Sequence, residues 1–430
     1  MSSPSTLFLR IDKVLIFHYR GPMKNFFIFC LLTASTLFGA ALRLTELGTP
    51  DMGVASAGSA AIARDAATAY FNPAGLTHLD HCQLLLGTQV TASDVHFKTR
   101  EGTLFRGGGG SQAGTVLPGA GAYYNQYITG NTRFGLAINS PYGGRHNYGR
   151  NWAGRYFVHR IFLPTIALNP SLAYQFNSWL SVGAGYTLQY AYLQQTIALN
   201  PAVFGQNPFT TLDGHLSLNL DSFASGYNFG LLIDITPCIR LGATYRSKID
   251  HKFHGSVDVQ PLGTQIGVDT KLPLGQFVIL SLAYQPMNCL ILLASGGWED
   301  WSTLDRTIIT TDINGEVDIP RNWKDTWHAA LGAEYTFNTL TLQLGASYDS
   351  SPARAHYRSP DLPMDNQWRF STGLLWQCNS CERLSTAFEY AYLGRGNTNL
   401  KAQQADINLL KGHYNHNSTV TLNLTYCRTF

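Results

Sequence analysis

Several side chains in this 430-residue chain have types and spacings from which chemistry can be built. His78 and His81 stand three apart, as do His251 and His254, a spacing a metal ion can use, but neither pair has a third donor beside it. Histidines facing solvent or a lumen are the better reading of both. Cys378-Asn379-Ser380-Cys381 could close a local disulfide, bind a metal together with a second pair, or exchange thiols. No second pair exists and no thioredoxin-like βαβ pattern surrounds it, which leaves a turn-closing disulfide or free thiols. Gly107 to Gly110 lack the Lys-Ser/Thr of a phosphate loop and read as a flexible loop tip. Arg155, next to Tyr156, reads as a structural cation. Nothing in the sequence context sets a Ser, a His and a carboxylate on one face. The expectation is no catalytic residue, no metal and no cofactor. A net charge of +3 is too small to argue for a nucleic-acid partner.

The elements that hold these residues are strands. Charged residues make up 13% of the chain, about half the usual share, while aromatics reach 12% and glycines number 41. Beyond the first 41 residues there is no run of about 20 apolar residues and so no spanning helix. Alternation is clear instead. Leu340, Leu342, Leu344, Ala346 and Tyr348 interleave with Thr341, Gln343, Gly345 and Ser347. Val420, Leu422, Leu424 and Tyr426 interleave with Thr419, Thr421, Asn423 and Thr425. Period two places one set on each face of a sheet, and the polar set is small and almost uncharged, which suits a lumen. Tight turns such as Asn177-Ser178, Asn288-Cys289 and Asn338-Thr339 alternate with longer polar segments at 100–114, 141–158, 199–211, 259–267, 312–321, 351–365 and 403–413. Short turns on one side and long loops on the other are what a transmembrane barrel requires. Strands are expected near 83–99, 115–128, 131–140, 159–176, 179–198, 212–235, 238–258, 268–285, 288–311, 322–337, 340–350, 366–378, 382–402 and 414–430. The predicted fold is all-β, an antiparallel transmembrane β-barrel of fourteen strands. Trp298, Trp301, Trp323 and Trp327 are expected mostly at the lipid–water girdle.

Met23-Lys24-Asn25, the apolar stretch Phe26 to Phe38 and Gly39-Ala40-Ala41 form a secretory signal peptide over 23–41. Residues 1–22 fit no such scheme and are expected to be an upstream extension of the true start at Met23. Residues 42–81 break the strand pattern; they are rich in Ala and poor in charge, and are expected to fill the lumen as a hatch ahead of the barrel at 82–430. Within them Asn72-Pro73-Ala74 defines a bend, because Pro fixes φ and pushes the preceding residue to extended geometry.

The stretch from Gly53 to Leu76, with Asp65-Ala66 followed by Asn72-Pro73-Ala74, resembles the hatch of the FadL family of outer-membrane long-chain fatty-acid and hydrocarbon transporters. Further blocks occur in family order: Asn139-Ser140-Pro141-Tyr142-Gly143, Trp152-Ala153-Gly154-Arg155-Tyr156, Trp301-Ser302-Thr303-Leu304, Asn322-Trp323-Lys324-Asp325-Thr326 and Tyr348-Asp349-Ser350-Ser351-Pro352. The resemblance implies uptake of hydrophobic molecules, long-chain fatty acids foremost, past a hatch gated at Asn72, Pro73 and Ala74. Exit would be lateral, beside a kinked third strand, here at Pro141, Gly143 and Gly144. It also implies that Lys324 contacts the ligand carboxylate, while Tyr190 to Gln194 hold no cation where a second is expected. The implied partners are fatty acids or other hydrophobic ligands, outer-membrane lipid, and the barrel-assembly machinery reading the terminal Phe430. A monomer is expected, and no nucleic acid. The competing readings are an outer-membrane lipase, which lipid hydrolysis would reveal, and a general porin or adhesin, which ion conductance would separate.

Overall fold

The two residue sets that alternate along each strand separate to opposite faces in the computed structural model. Leu344 is 66% exposed and Leu422 58%, whereas their neighbours Gln343 and Asn423 are each 3% exposed. A water-soluble sheet would bury the leucines. Here the apolar set points outward, where lipid takes the place of water, and the polar set points in. The structure describes residues 43–44, 47–105, 107–201, 212–313, 315–361, 365–401 and 408–430. The expected upstream extension at 1–22, the expected signal at 23–41 and most of the expected 199–211 loop lie outside them.

The strands, numbered around the barrel, are β1 Gln83–Thr99, β2 Val116–Thr129, β3 Thr132–Asn139 with a second arm Gly143–Asn147, β4 Arg160–Asn177, β5 Leu180–Leu199 and β6 Gly214–Thr236. Then follow β7 Ile239–Arg246 with Ile249–Gln260, β8 Thr264–Leu274 with Phe277–Met287, and β9 Leu290–Glu299 with Arg306–Thr311. Last come β10 Gly315–Pro320 with Thr326–Phe337, β11 Leu340–Asp349, β12 Gln367–Gln377, β13 Glu382–Tyr392 with Thr398–Lys401, and β14 Asn408–Thr429. Each pairs antiparallel with the next, and β1 closes on β14 from Gln83↔Thr429 to Thr99↔Gly412. Closure leaves no sheet edge to be satisfied in the bilayer.

Several expected loops are instead strand. The 259–267 segment is a turn between β7 and β8, 312–321 contains the hairpin of β9 against β10, and β14 begins at Asn408 rather than 414. These hairpins stand beyond the apolar band, so their outward residues are mostly polar, as at Arg306, Thr310 and Glu316, and the lipid-facing alternation that marks a strand in sequence is lost. Trp301 and Trp323 are also not girdle residues. Both are buried in a cluster among the outer loops, their rings 6.3 Å apart and edge-on, while Trp327 is exposed. Cys378 and Cys381 are free thiols at the β12–β13 turn.

Residues 47–79, ahead of β1, are almost wholly buried against inward-facing barrel residues. The barrel glycines explain how two backbones come so close. A Cβ on Gly345 of β11 would lie 2.1 Å from the Val54 carbonyl carbon, and one on Gly242 of β7 would lie 1.9 Å from the Ala60 oxygen. Part of the high glycine content is therefore a requirement of what the barrel encloses.

Candidate functional site

Asn72 lies between a short helix, Thr68–Phe71, and a 3₁₀ helix, Pro73–His78, which Pro73 and Ala74 open. Asn72 is fully buried and caps the second helix, accepting from the Ala74 amide at 3.1 Å. Its Nδ2 donates to Ala60 O at 2.6 Å and to Leu231 O of β6 at 3.0 Å, so one side chain ties the bend both to its own segment and to the barrel wall. Asn72→Ala strands those buried carbonyls, each costing about 1–3 kcal/mol. The expected result is faster amide hydrogen exchange in residues 68–79 with the strand amides unchanged; equal protection in variant and wild type would refute the tie.

Charge fixes the same segment elsewhere. Arg64 donates to Asp51 at 2.9 Å and is ion-paired with Glu334 of β10 at 2.6 Å, and Asp65 pairs with Arg383 of β13 at 2.7 Å. Burial pushes the Asp51 carboxyl up to about 6, against the opposing pull of Arg64. Ala55, Ser56 and Ala63 hold positive φ values of 51°, 59° and 46°, conformations that only surrounding contacts can maintain.

The third strand is interrupted where Pro141 stands. Its first arm pairs with β2 as far as Ala122↔Ile138 and with β4 as far as Asn139↔Ala167. The second arm resumes on β4 at Gly143↔Pro164. Among the described residues, Val116 to Gly121 of β2 make no ladder to either arm, so the sheet is open there. The Asn147 amide donating to Ala113 O at 2.9 Å closes it above. The start of the pre-barrel segment is bound to the same bend: Leu44 N donates to Pro141 O at 2.9 Å, and Arg43 bridges Tyr142.

Inside this opening lies a cavity of about 280 Å³, lined by Leu117 to Ala120 of β2, Gly143 to His146 of β3, Phe162 to Pro164 of β4, and Leu44 and Leu47. Three cations reach it: Arg43, Arg145 and Arg369. Arg43 is paired with Glu299, and Arg369 with Asp349 and Glu389. Arg145 has no ion pair among the described residues, its Nε is buried without a partner, and its guanidinium lies 5.8 Å from the Phe162 ring centre. Lys324 is elsewhere. It is exposed in the segment between the two arms of β10, its amide donating to Pro352 O at 3.1 Å, and it does not line the cavity.

The structure thus gathers Pro141, Gly143 and Gly144 at one opening and sets Asn72 to Ala74 apart from it, in the docked segment. Arg155 is held by Asp213 at 2.6 Å and is structural. His78 contacts Asp234 and Arg240, and His254 contacts Asp269; among the described residues neither histidine pair gathers a third metal donor.

Residues 30–430 match the family described as outer membrane protein transport protein (OMPP1/FadL/TodX). Outer membrane protein P1 of Haemophilus influenzae is 27% identical over 407 residues, covering 84% of this chain and 88% of the relative. The long-chain fatty acid transport protein of Escherichia coli (strain K12) is 25% identical over 406 residues, covering 84% and 90%. Among solved structures, a Pseudomonas aeruginosa FadL homologue superposes with a TM-score of 0.82 at 22% identity, over 90% of this chain and 99% of that one. The Pseudomonas putida toluene transporter TodX gives 0.68 at 18%, over 89% and 98%. Closed fourteen-strand barrel, outward apolar face and family match agree: the chain belongs to the OMPP1/FadL/TodX family and is an outer-membrane transporter of hydrophobic compounds.

Proposed function

We propose that the compounds carried are long-chain carboxylic acids, held in the cavity with the carboxylate at Arg145 and released sideways between β2 and the bent β3. The observation that carries this reading is Arg145: a guanidinium with a buried, unpartnered Nε, set beside Phe162 and Leu163 at an opening in the barrel wall. A half-buried guanidinium whose Nε is shut off from water without a partner gains from an anion that completes it, and an acyl carboxylate brings an apolar tail along. Each CH₂ held out of water is worth about 0.8 kcal/mol, so lateral release into lipid keeps the tail buried throughout. The pre-barrel segment acts as the hatch. Its Arg43–Leu44 end is bonded to the bend, so a shift at Asn72-Pro73-Ala74 can be felt at the opening. Lys324, exposed in its loop, would meet the acid outside the cavity.

Neutral hydrocarbons are the second reading, favoured by the uncharged stretch Tyr190 to Gln194 and by the likeness to a toluene transporter. Retention of oleate against methyl oleate by purified barrel separates the two. A charge-assisted contact is worth about 1.5–3 kcal/mol, so Arg145→Gln should weaken oleate about ten- to hundredfold and leave the ester nearly unchanged. Equal weakening of both ligands would mean damaged packing, and no change in either would return the choice to hydrocarbons.

A further inference from the structure

We propose that Asp94, His96 and His416 form a binding site for a borderline divalent metal ion such as Zn²⁺, clasping the seam where β1 closes on β14. The three side chains come from opposite ends of the chain. The ladder sets His96 directly across from His416 and Asp94 across from Ser418. The Asp94 carboxylate contacts His96 Nδ1 at 2.8 Å with one oxygen and His416 Nδ1 at 3.2 Å with the other. The donor atoms of all three residues lie within 4.8 Å of one another, and the two imidazole rings are 5.3 Å apart, edge to face.

The backbone contributes to this convergence. The β1–β14 register shifts immediately after His96, between that residue and Phe97. An irregularity of this kind twists the pair locally and re-aims side chains that a regular ladder would keep parallel. The inward neighbours Val95 and Asn417 are buried, which places Asp94, His96 and His416 on the outer face of the barrel. Along that face they lie beyond the exposed Val90, Val420 and Leu422, separated from them by Ala92 on β1 and Ser418 on β14, at the outer rim of the apolar band.

Two imidazole nitrogens and one carboxylate oxygen are a donor set suited to Zn²⁺, Ni²⁺ or Cu²⁺ rather than to Ca²⁺ or Mg²⁺. Zn–N and Zn–O bonds of roughly 2.0–2.2 Å need only a small rotation of side chains that are already in mutual contact. At least one coordination position is left for water or another donor. Because the ligands come from both strands, an ion held here would cross-link the first strand to the last and stabilise the closed barrel against opening at its seam.

The test uses the full barrel in detergent, with ZnCl₂ as the probe. Calorimetric titration should find one Zn²⁺ per chain beyond the background of a D94N/H96A/H416A triple variant, and the heat-induced loss of the fast-migrating folded band should shift to higher temperature. His416→Ala, which removes the only donor from β14, should weaken binding by about tenfold or more and abolish the thermal shift. Asp94→Asn keeps an acceptor for the neighbouring imidazoles while losing the anionic donor, so it should fold as wild type without metal yet lose the zinc response. The proposal is overturned if the triple variant binds Zn²⁺ as wild type does, or if bound Zn²⁺ leaves the unfolding temperature unmoved. In either case the three residues are only a hydrogen-bonded surface cluster.

Discussion

Gly144→Trp should reduce uptake of labelled oleate by about ten- to hundredfold while the barrel still assembles. Gly144 lines the cavity at the point where the second arm of β3 diverges from β2, and Val116 to Gly121, paired with β1 on their other side, carry no ladder to β3 that an inserted side chain would displace. An indole placed there occupies much of a 280 Å³ space. Overpacking of this kind costs about 1–3 kcal/mol, which as an added barrier to passage is the stated range in rate. Gly143 is a poorer site for the test, because a Cβ there would meet the Leu163 carbonyl at 3.1 Å and disturb the β3–β4 ladder itself. The measurement is whole-cell uptake at matched surface levels, alongside oleate retention by purified protein. Uptake at the wild-type rate would show that the side opening is not the route. Loss of retention together with uptake would show that the variant had only filled the binding cavity.

Arg64→Met should release the pre-barrel segment and make the barrel leak small polar solutes. Arg64 stands between Asp51 and Glu334, with side chains that are all nearly buried, and Gln343 also donates to Glu334 at 2.7 Å. Removing one member of such a group leaves buried carboxylates facing each other, at about 3–5 kcal/mol, enough to change the docked population several-hundredfold. Ion conductance in planar bilayers should rise from near silence to open-pore events. The leak should also depend on pH. Burial already holds the Asp51 carboxyl near 6, above its ordinary value, so protonation there favours the docked state. That contribution is present in full below about pH 4 and is lost as pH rises through 6. Lowering the pH from 7 to 5 should thus partly close the variant. Conductance as low as that of wild type at every pH would show that other contacts suffice to hold the segment.

The barrel was legible because its physics is periodic. Leu340 to Tyr348 and Val420 to Tyr426 show lipid and lumen alternately, and that signal survives in sequence without any knowledge of partners. It fades where strands leave the membrane, as at Arg306–Thr311 against Gly315–Pro320, because the outward set there is mostly polar while Ile309 turns inward into the apolar cluster under the outer loops. Pro141 was reached only through the family resemblance, which implied a kinked third strand; physically, proline cannot complete a ladder, and the pairing of β3 is interrupted around it. The charge that serves the cavity was not legible. Lys324 stands within a family-like block and yet is exposed, whereas Arg145 owes its position to the bend, and nothing in Gly143-Gly144-Arg145-His146 says which way the arm turns after Pro141. The metal-type cluster was hidden for a different reason. Near neighbours such as His78 and His81 invite attention, but His416 reaches Asp94 across 322 positions, a closeness that only barrel closure creates.

The inward glycines and the ion pairs of the pre-barrel segment also dictate an order of assembly. This segment precedes every strand in the chain, yet its docking places are spread over β1, β6, β7, β8, β10, β11 and β13; Asp65 and Arg383 are 318 positions apart. None of these places exists as a surface until the wall that carries it has curved and its neighbours are paired. The segment that is synthesised first is then among the last to settle. Until it does, it must wait without a partner, with the loop-closure entropy of nearly the whole chain still to be met. Its low hydrophobic bulk, mostly Ala, Gly and Ser from Gly53 to Ala69, suits that wait, because small side chains offer little for premature aggregation to hold. A chain in which bulky residues replaced those alanines would be expected to fail on the way to the membrane, before transport could be measured at all.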